Sequence, residues 1–269
     1  MASKRFAFRA WLAALSLVPL GAGCPRASGQ SVSLLGSTSI QPFAELLAER
    51  YATKYPGRFV EVQGGGSTAG LQAAESGLVD IGMCSRSLTD QEARRFTPIL
   101  IARDGLAVVV NLENPVSQLS LAQLRALFAG RVTNWKAVGG KDGPVWPITR
   151  EEGSGTRESF LRLVMGDEGI SRRALTQESN GAVKELVKGD PAAIGYMSLG
   201  LVGKELKPMA VAGVPPTVEN VQAGGYHLVR PLLFVTKGAA NPAAQGFVDF
   251  VLSPEGQSLL ATEGLVRVR

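Results

Sequence analysis

Three turns, each of which combines glycine with serine or threonine, constrain the fold of this chain more than any other feature. They begin at Gly36, Gly64 and Gly153, and each lies between a short apolar run and apolar residues at helical spacing. Glycine permits tight backbone turns, and serine or threonine is favoured where a helix begins. Strands that alternate with helices imply right-handed βαβ units on a mostly parallel sheet. The predicted fold class is therefore α/β.

The same turns are candidate anion-binding sites. The first N–H groups of a helix have no intrahelical partner and carry the positive end of the helix dipole. A third predicted strand, residues 79–83, runs toward Ser85, and ligands of such sheets bind at the carboxyl ends of the strands. The alternative is that these are ordinary helix caps, which any α/β protein contains.

Two arginines could supply the positive charge of such a site. Arg150 stands four residues before Ser154 and offers a planar, bidentate guanidinium. Arg86 is the second candidate, with a surface or packing role as its alternative. The predicted anion-binding residues are Ser37, Thr38, Ser39, Gly66, Ser67, Thr68, Ser85, Arg86, Arg150, Ser154, Gly155 and Thr156.

The first 23 residues predict an export signal. Lys4, Arg5 and Arg9 precede an apolar run at residues 10–20, which is too short to span a bilayer as a helix. The sequence before Cys24 is similar to a lipoprotein processing site, which predicts lipidation of Cys24. Gly21 departs from that pattern, because leucine is expected three residues before the cysteine. Plain cleavage at residues 27–30 is the alternative, and export is predicted in both cases.

Charge and cysteine content exclude several classes of function. Removal of the three basic residues of the signal lowers the formal charge from +5 to +2, and the remaining charges are scattered, so no nucleic-acid partner is predicted. With Cys24 lipidated or removed, Cys84 stands alone and no internal disulfide can form. A single histidine, His227, argues against a typical zinc or copper site. No cofactor and no metal are predicted.

Several segments together resemble the phosphate-binding proteins of bacterial ABC importers, a PstS-like group within the type II periplasmic binding proteins. The resemblance runs through almost the whole chain after the signal. The segments that carry it are residues 36–39, 64–68, 80–86 and 150–156, followed by further landmarks at residues 134–135, 193–196, 230–232 and 250–256.

The resemblance implies a two-lobed fold with a ligand cleft between the lobes. Each lobe would be a mostly parallel sheet flanked by helices. Residues 24–110 and 229–269 would form the first lobe and residues 111–228 the second, with crossings near Asn111 and Leu228. The loops at Ser37, Ser67 and Ser85 would then face residues 150–156 across the cleft.

The resemblance also implies a binding function and not an enzyme. The protein would capture inorganic phosphate outside the cytoplasm and deliver it to the permease and ATPase subunits of an ABC importer. It would lie in the periplasm, or be held at a membrane surface by a lipid on Cys24, at the outer side of the inner membrane or in the outer membrane. Glu152 would orient Arg150, as an acidic residue at that place does in the family.

One departure leaves the selectivity open. Long-form members of the family carry an aspartate that accepts the proton of the ligand, and Ser85 occupies the matching position here. Short-form members also lack this aspartate. Binding of another oxyanion, such as sulfate or molybdate, therefore remains an alternative to phosphate. The sequence also leaves open whether the protein serves transport or sensing.

The competing class is a phosphoester hydrolase that uses Ser154 or Ser67 as its nucleophile. Such an enzyme needs a base, and His227 is the only histidine of the chain. The sequence contains neither a Gly-x-Ser-x-Gly turn nor a Gly-x-x-x-x-Gly-Lys-Ser/Thr phosphate loop. The residues therefore favour binding over catalysis.

Overall fold

A computed structural model describes residues 31–268, so the predicted signal and Cys24 lie outside the described residues. Within that range no helix has both the length and the hydropathy to span a bilayer. The strands are β1 (Ser31–Gly36), β2 (Phe59–Gly64), β3 (Ile81–Cys84), β4 (Thr97–Asn111), β5 (Gln118–Leu119), β6 (Trp146–Arg150), β7 (Leu175–Gln177), β8 (Ala193–Ser198), β9 (Leu206–Pro208), β10 (Ala210–Val211) and β11 (Val229–Thr236). The helices are α1 (Gln41–Lys54), α2 (Ser67–Ser76), α3 (Asp90–Ala93), α4 (Leu121–Phe128), α5 (Gly155–Phe160), α6 (Asn180–Gly189), α7 (Val218–Gln222), α8 (Pro242–Leu252) and α9 (Pro254–Thr262).

Local sequence signals position most of the helices. Thr89 and Ser120 form capping boxes with Glu92 and Gln123, with side-chain and backbone bonds in each direction. Ser253 caps α9, and Pro254 occupies its first position. Helix α5 continues into a single π-helical turn, Leu161–Met165, which extends the helix that begins at the third glycine turn.

The main sheet has the strand order β2-β1-β3-β11-β4-β8-β6-β7, with β9 also paired to β4. Strands β2, β1 and β3 run parallel on one side, and β8, β6 and β7 run parallel on the other. Two antiparallel strands, β11 and β4, lie between them. This arrangement confirms the predicted α/β fold with mostly parallel sheets.

Strand β4 joins the two halves. Residues 97–105 of β4 pair with β11, and residues 106–110 pair with β8. The second stretch is apolar throughout, whereas Arg103 and Asp104 interrupt the apolar run of the first. The pairing defines two lobes, which we use from here on: lobe 1 comprises residues 31–105 and 229–268, and lobe 2 comprises residues 106–228.

The first crossing therefore lies earlier in the chain than expected. It falls at Gly105 and Leu106, whereas Asn111 ends β4 deep in lobe 2, where its side-chain amide donates to the carbonyls of Val187 and Lys188. No turn marks this crossing in the sequence, because a continuous strand runs through it. The other crossing directly precedes β11.

Each lobe has its own hydrophobic core. In lobe 1, Val32 and Phe43 from the start of the chain pack in one cluster with Phe247 and Val251 from its end, so the C-terminal helices return to the first lobe. In lobe 2, the core includes a group of aromatic rings in which Phe160 stacks on Tyr196 at 4.0 Å between centroids. Separate hydrophobic clusters in each lobe, with two chain crossings between the lobes, make the two-lobed fold that the resemblance implied.

Candidate functional site

The carboxyl ends of the parallel strands face each other between the lobes. In lobe 1, β1 leads into Ser37 to Ser39, β2 leads into α2, and β3 ends at Cys84 beside Ser85. In lobe 2, β6 ends at Arg150, and the turn after it leads into α5. The sequence therefore brings hydroxyl-rich turns from one lobe against an arginine and a helix start from the other.

Direct contacts join these two sets of turns. The hydroxyl oxygens of Ser39 and Thr156 are 2.8 Å apart. Arg150 Nη2 donates to Thr38 Oγ1 at 3.0 Å, and the backbone N–H of Thr68 donates to the carbonyl of Gly153 at 3.0 Å. The lobes are thus in a closed arrangement, in which residues of both surround one point.

The lobe 1 side of this point is a buried group of serine hydroxyls. Ser37 Oγ donates to Ser85 Oγ at 2.8 Å, and Ser67 Oγ lies 3.4 Å from Ser85 Oγ. The Ser85 N–H donates to Ser67 Oγ at 3.1 Å. Each of these serines follows a different strand, so three separate chain segments are required to assemble the group.

Arg150 is buried and keeps one nitrogen unused. Its Nε donates to Glu151 Oε2 at 2.9 Å and to the carbonyl of Gln177 at 3.1 Å. Its Nη2 donates to Thr38, to Glu151 Oε1 and to the carbonyl of Glu178. Among the described residues Nη1 has no hydrogen-bond partner. Buried polar groups are rarely left unpaired, and a guanidinium N–H is a strong donor to an oxyanion.

Glu151 is the residue that orients Arg150. The family pattern had suggested Glu152 for this role. The Glu152 side chain is 95% exposed and lies 3.8 Å from Arg157 Nη1. The turn that carries Arg150 places the adjacent carboxylate, and not the next one, alongside the guanidinium.

The start of α5 closes the site from the lobe 2 side. Ser154 caps the helix by accepting from the Arg157 N–H at 3.3 Å, which leaves its hydroxyl oxygen engaged locally. The N–H groups of Gly155 and Thr156 belong to the first turn, where no intrahelical acceptor exists. A Cβ on Gly155 would lie 2.3 Å from Ser67 Oγ, so only glycine allows this helix to approach the serines.

Gly66 shapes the turn before α2. Its φ angle is +89°, a conformation that favours glycine, and its N–H already donates to the carbonyl of Gly36 at 2.9 Å. A Cβ at this position would lie 3.2 Å from the carbonyl of Gly153 across the cleft. Gly66 therefore allows the two lobes to approach each other closely. Its own N–H is already used in the bond to Gly36.

Sequence reasoning missed a buried ion pair at the base of the site. Arg230 and Asp104 are both fully buried, and Nε and Nη2 of Arg230 donate to Asp104 Oδ2 at 3.0 Å and 2.8 Å. Nη1 of the same arginine donates to Thr156 Oγ1 at 2.7 Å, and Nη2 donates to Ser39 Oγ at 3.0 Å. We call Asp104, Arg230, Ser39, Thr156 and Arg150 the inner cluster.

The sequence marks each member of this pair as unusual, but not their pairing. Asp104 interrupts the apolar run of β4, and Arg230 directly precedes the apolar run of β11. Opposite charges in two strands that are otherwise buried, and that pair with each other, indicate an internal ion pair. The side-chain amide of Asn180 also reaches the site, where it donates to Ser39 Oγ at 3.0 Å.

The buried charges of the inner cluster shift one another's pKa values. Burial lowers the pKa of Arg230 and raises the pKa of Asp104, and the ion pair between them opposes both shifts. The positive charge of Arg150 also lowers the pKa of Arg230, so the two guanidinium groups repel each other. An oxyanion between them would relieve that repulsion. Burial raises the pKa of the Cys84 thiol, which keeps it neutral.

Arg86 belongs to a different arrangement, which we call the outer cluster: Arg86, Glu92 and Glu158. Arg86 Nη1 and Nη2 donate to the two oxygens of Glu92 at 2.7 Å and 2.9 Å, and its Nε lies 2.6 Å from Glu158 Oε2. The bond to Arg86 lowers the pKa of Glu92 to about 2. Carboxylates lie beside all three nitrogens and neutralise the guanidinium, although Nε makes no hydrogen bond among the described residues, so we do not assign Arg86 as an anion ligand.

The described residues do not arrange a metal site or a serine nucleophile. Within residues 31–268 no group of three or more His, Cys, Asp or Glu side chains could hold a metal ion. The hydrogen bonds of Ser67 and Ser154 in this part of the chain run to hydroxyl and backbone groups, without a carboxylate or imidazole. His227 is exposed.

Comparisons with known proteins agree with this geometry. Residues 24–255 match the model of a family described as the PBP superfamily domain. The chain is 31% identical over 245 residues to the phosphate-binding protein PstS of Bacillus subtilis, covering 90% of this chain and 81% of that protein. It is 27% identical over 251 residues to the phosphate-binding protein PstS of Borreliella burgdorferi, covering 88% of this chain and 90% of that protein.

Solved structures show the same fold. A protein of Clostridium perfringens, described as a phosphate ABC transporter substrate-binding protein with bound phosphate, superposes with a TM-score of 0.86 at 39% identity, covering 89% of this chain and 100% of that one. An ABC-type phosphate transport receptor of Vibrio cholerae superposes with a TM-score of 0.74 at 37% identity, covering 87% and 99%. The similarity spans both lobes in each case.

Proposed function

Because this chain belongs to the PBP superfamily and to its PstS-like phosphate-binding proteins, we propose that it captures inorganic phosphate between its lobes and delivers it to the permease and ATPase subunits of an ABC importer. The observation that carries this proposal is Arg150 Nη1, a buried guanidinium nitrogen without a partner among the described residues. It lies in a site of hydroxyls and helix starts contributed by both lobes.

The groups around the site suit a tetrahedral oxyanion. Arg150 supplies a charged donor, Ser39, Ser67, Ser85 and Thr156 supply hydroxyls, and the starts of α1, α2, α5 and α6 supply the positive ends of helix dipoles. A hydrogen bond to a charged group contributes about 1.5–3 kcal/mol. A few such bonds, less the cost of association, support a Kd of about micromolar or better, near −8 kcal/mol.

Binding and closure are coupled in this proposal. Ser39 and Thr38 lie in lobe 1, whereas Arg150 and Thr156 lie in lobe 2, so neither lobe alone surrounds the anion. The ligand therefore favours the closed arrangement, with the hinge at the two crossings that precede Leu106 and Val229.

Export and anchoring form a second part of the proposal. The charge and apolar pattern of residues 4–20 supports export, and Cys24 is the proposed lipid attachment point that would hold the protein at a membrane surface. Mass spectrometry of the native protein should show loss of the first 23 residues with acyl chains on Cys24. An intact, unprocessed chain in the cytoplasm would contradict export and the importer role.

Another oxyanion is the alternative ligand, because Ser85 replaces the aspartate of the long-form proteins. A serine-dependent hydrolase has less support, since the described hydroxyls of the site lack a base. Titration calorimetry with phosphate, sulfate and molybdate separates these alternatives directly, and an assay with a phosphate ester checks for turnover.

The same titration tests the site. Arg150→Lys keeps the charge and removes the planar guanidinium, so we expect phosphate affinity to fall at least about tenfold. Arg94→Lys, at an exposed position outside the site, is the matched control and should bind as wild type does. Unaltered phosphate affinity of Arg150→Lys would remove Arg150 from the site.

A further inference from the structure

Two exposed apolar side chains lie at the end of lobe 1 that is opposite the cleft. Among the described residues, Leu78 and Phe59 are the two most exposed large hydrophobic side chains, at 74% and 60%. Phe59 begins β2, and the register pairs it with Ser31, the first residue of β1. Leu78 precedes Ile81 by three residues, just as Ser31 precedes Leu34, the partner of Ile81. Phe59 and Leu78 therefore flank Ser31 at the amino ends of three adjacent strands.

The fold does not require an apolar side chain at either position. Leu78 contributes to the end of α2 through its backbone, because its N–H donates to the Ala73 carbonyl at 2.9 Å. Phe59 lies on β2, which is an edge strand of the sheet. Two strand spacings separate the two residues, about 10 Å, so both can enter the same apolar surface. Neighbouring exposed apolar side chains, unlike isolated ones, indicate a contact surface.

Tyr55 and Arg58 border these two side chains. The Arg58 N–H donates to the carbonyl of Tyr55 at 3.1 Å, and the guanidinium carbon lies 5.3 Å from the centroid of the Tyr55 ring. The Tyr55 side chain is also exposed. Tyrosine and arginine combine an apolar body with a polar tip, which suits the boundary between a bilayer and water. We call Tyr55, Arg58, Phe59 and Leu78 the amino-end patch.

The proposed lipid attachment point lies close to this patch along the chain. Ser31 follows Cys24 by seven residues. A span of that length reaches at most about 25 Å, so a lipid on Cys24 would keep Ser31 and the amino-end patch near the membrane surface. One acyl chain gives only weak, reversible membrane binding, and stable anchoring needs a second contribution. The amino-end patch is in the right place to supply it.

We propose that the amino-end patch inserts Phe59 and Leu78 into the lipid bilayer beside the acyl chain on Cys24, and so fixes the orientation of the anchored protein. This inference rests on the export and anchoring part of the proposed function. The anion-binding turns follow the opposite, carboxyl ends of β1 and β3, and β1 spans about 20 Å. Contact with the bilayer therefore leaves the cleft free, and phosphate affinity should be the same with and without vesicles.

The test measures how the mature chain, residues 24–269, partitions between buffer and phosphatidylcholine vesicles in a sedimentation assay. A maleimide that carries one myristoyl chain is coupled to Cys24, so the result does not depend on native lipidation. The only other cysteine, Cys84, is buried, and burial raises the pKa of its thiol, so the coupling is confined to Cys24.

Variants of the patch should weaken this partition. Phe59→Ser combined with Leu78→Ser removes the two inserted side chains and keeps both backbones, and we expect partition into vesicles to fall at least about tenfold. Leu112→Ser is the matched control, because Leu112 is 57% exposed and lies in lobe 2. It should partition as the wild type does. Phosphate titration of each variant checks that it is folded.

Fluorescence provides a second measurement that keeps the patch apolar. Vesicles with brominated acyl chains should quench the emission of Phe59→Trp more than that of the wild type, which retains Trp135 and Trp146. Leu112→Trp is the control and should show no added quenching. This measurement tests the inference even if the double serine variant does not fold.

Equal partition of the wild type and a folded double variant, or no added quenching of Phe59→Trp, would overturn the inference and leave phosphate capture in place. A wild-type dimer in the absence of vesicles that the double variant loses would assign the patch to contacts between two copies, and would also overturn it. A wild-type protein that partitions as expected but does not bind phosphate would contradict the proposed function and not this inference.

Discussion

The inner cluster and the outer cluster both join the lobes through arginine, but they use it differently. In the outer cluster each nitrogen of Arg86 lies no more than 2.9 Å from a carboxylate oxygen of Glu92 or Glu158, although Nε makes no hydrogen bond among the described residues. In the inner cluster Arg150 is more deeply buried and retains one nitrogen without a partner among the described residues. What distinguishes Arg150, the arginine proposed to bind the anion, is a fully buried side chain with one nitrogen that has neither a hydrogen bond nor an adjacent carboxylate among the described residues.

The two clusters also differ in how much stability is lost when one charge of an ion pair is removed. Asp104 and Arg230 are completely buried, so each depends on the other for its charge. The side chain of Glu158 is 37% exposed, and water can replace its partner. The inner pair should therefore dominate stability, and the outer pair should modulate closure.

The largest expected effect separates the clusters by stability. Asp104→Ala leaves the buried Arg230 uncompensated, and we expect the free energy of unfolding to fall by roughly 3–5 kcal/mol. Glu158→Ala should cost only about 0–1 kcal/mol. Urea denaturation of both variants measures the difference, and equal losses would contradict the distinction.

The next effect concerns the approach of the lobes at the inner cluster. In Gly155→Ala the new Cβ would lie 2.3 Å from Ser67 Oγ and 2.8 Å from Ser85 Oγ, so the closed arrangement could not form as it stands. We expect phosphate affinity to fall at least about tenfold. Gly189→Ala, where a Cβ meets nothing within 4 Å, is the matched control and should bind normally. Normal binding by Gly155→Ala would show that the lobes need not meet at this helix.

A smaller effect is expected from the outer cluster. Glu158→Gln removes an ion pair across the lobes, and we expect phosphate affinity to fall about two- to fivefold at low salt and less at high salt. Glu152→Gln is the control, since this exposed carboxylate lies within the same segment of lobe 2. Titrations at two salt concentrations measure the effect, and a loss as large as that of Arg150→Lys would place Arg86 back in the site.

The smallest effect is a pH dependence of stability. The bond to Arg86 lowers the pKa of Glu92 from 4.5 to about 2, so its stabilising contribution is complete above about pH 4.5 and is lost as the pH falls toward 2. Glu92→Gln should be less stable than wild type by about 1 kcal/mol at neutral pH, and the gap should close in acid. Denaturant unfolding of both proteins from about pH 6 to about pH 2.5 measures this difference in stability. A gap that widened in acid would contradict the assignment.

Much of the fold was accessible from the sequence because its signals are local. The capping boxes at Thr89 and Ser120, the proline at the start of α9 and the apolar runs all lie within a few residues of the elements that they define. The serine turns and Arg150 were accessible for the same reason. The convergence of these turns on one point could be predicted only with the strand order, which the resemblance supplied.

The remainder depends on contacts distant in sequence. Asp104 and Arg230 are 126 residues apart, and neither has a motif around it that predicts its partner. The first crossing lies within an unbroken strand, so no turn marks Gly105. The choice of Glu151 over Glu152 depends on the path of one turn in three dimensions. In each case the deciding physics is tertiary packing and not local preference.

Small-angle scattering with and without phosphate tests the central claim, that both lobes build one anion site by closing on it. The radius of gyration of the wild-type protein should fall when saturating phosphate is added. That of Arg150→Ala should not fall at the same phosphate concentration. If phosphate binds the wild type tightly while its radius of gyration stays unchanged from an open form, the lobes do not close on the anion, and the site proposed here is wrong.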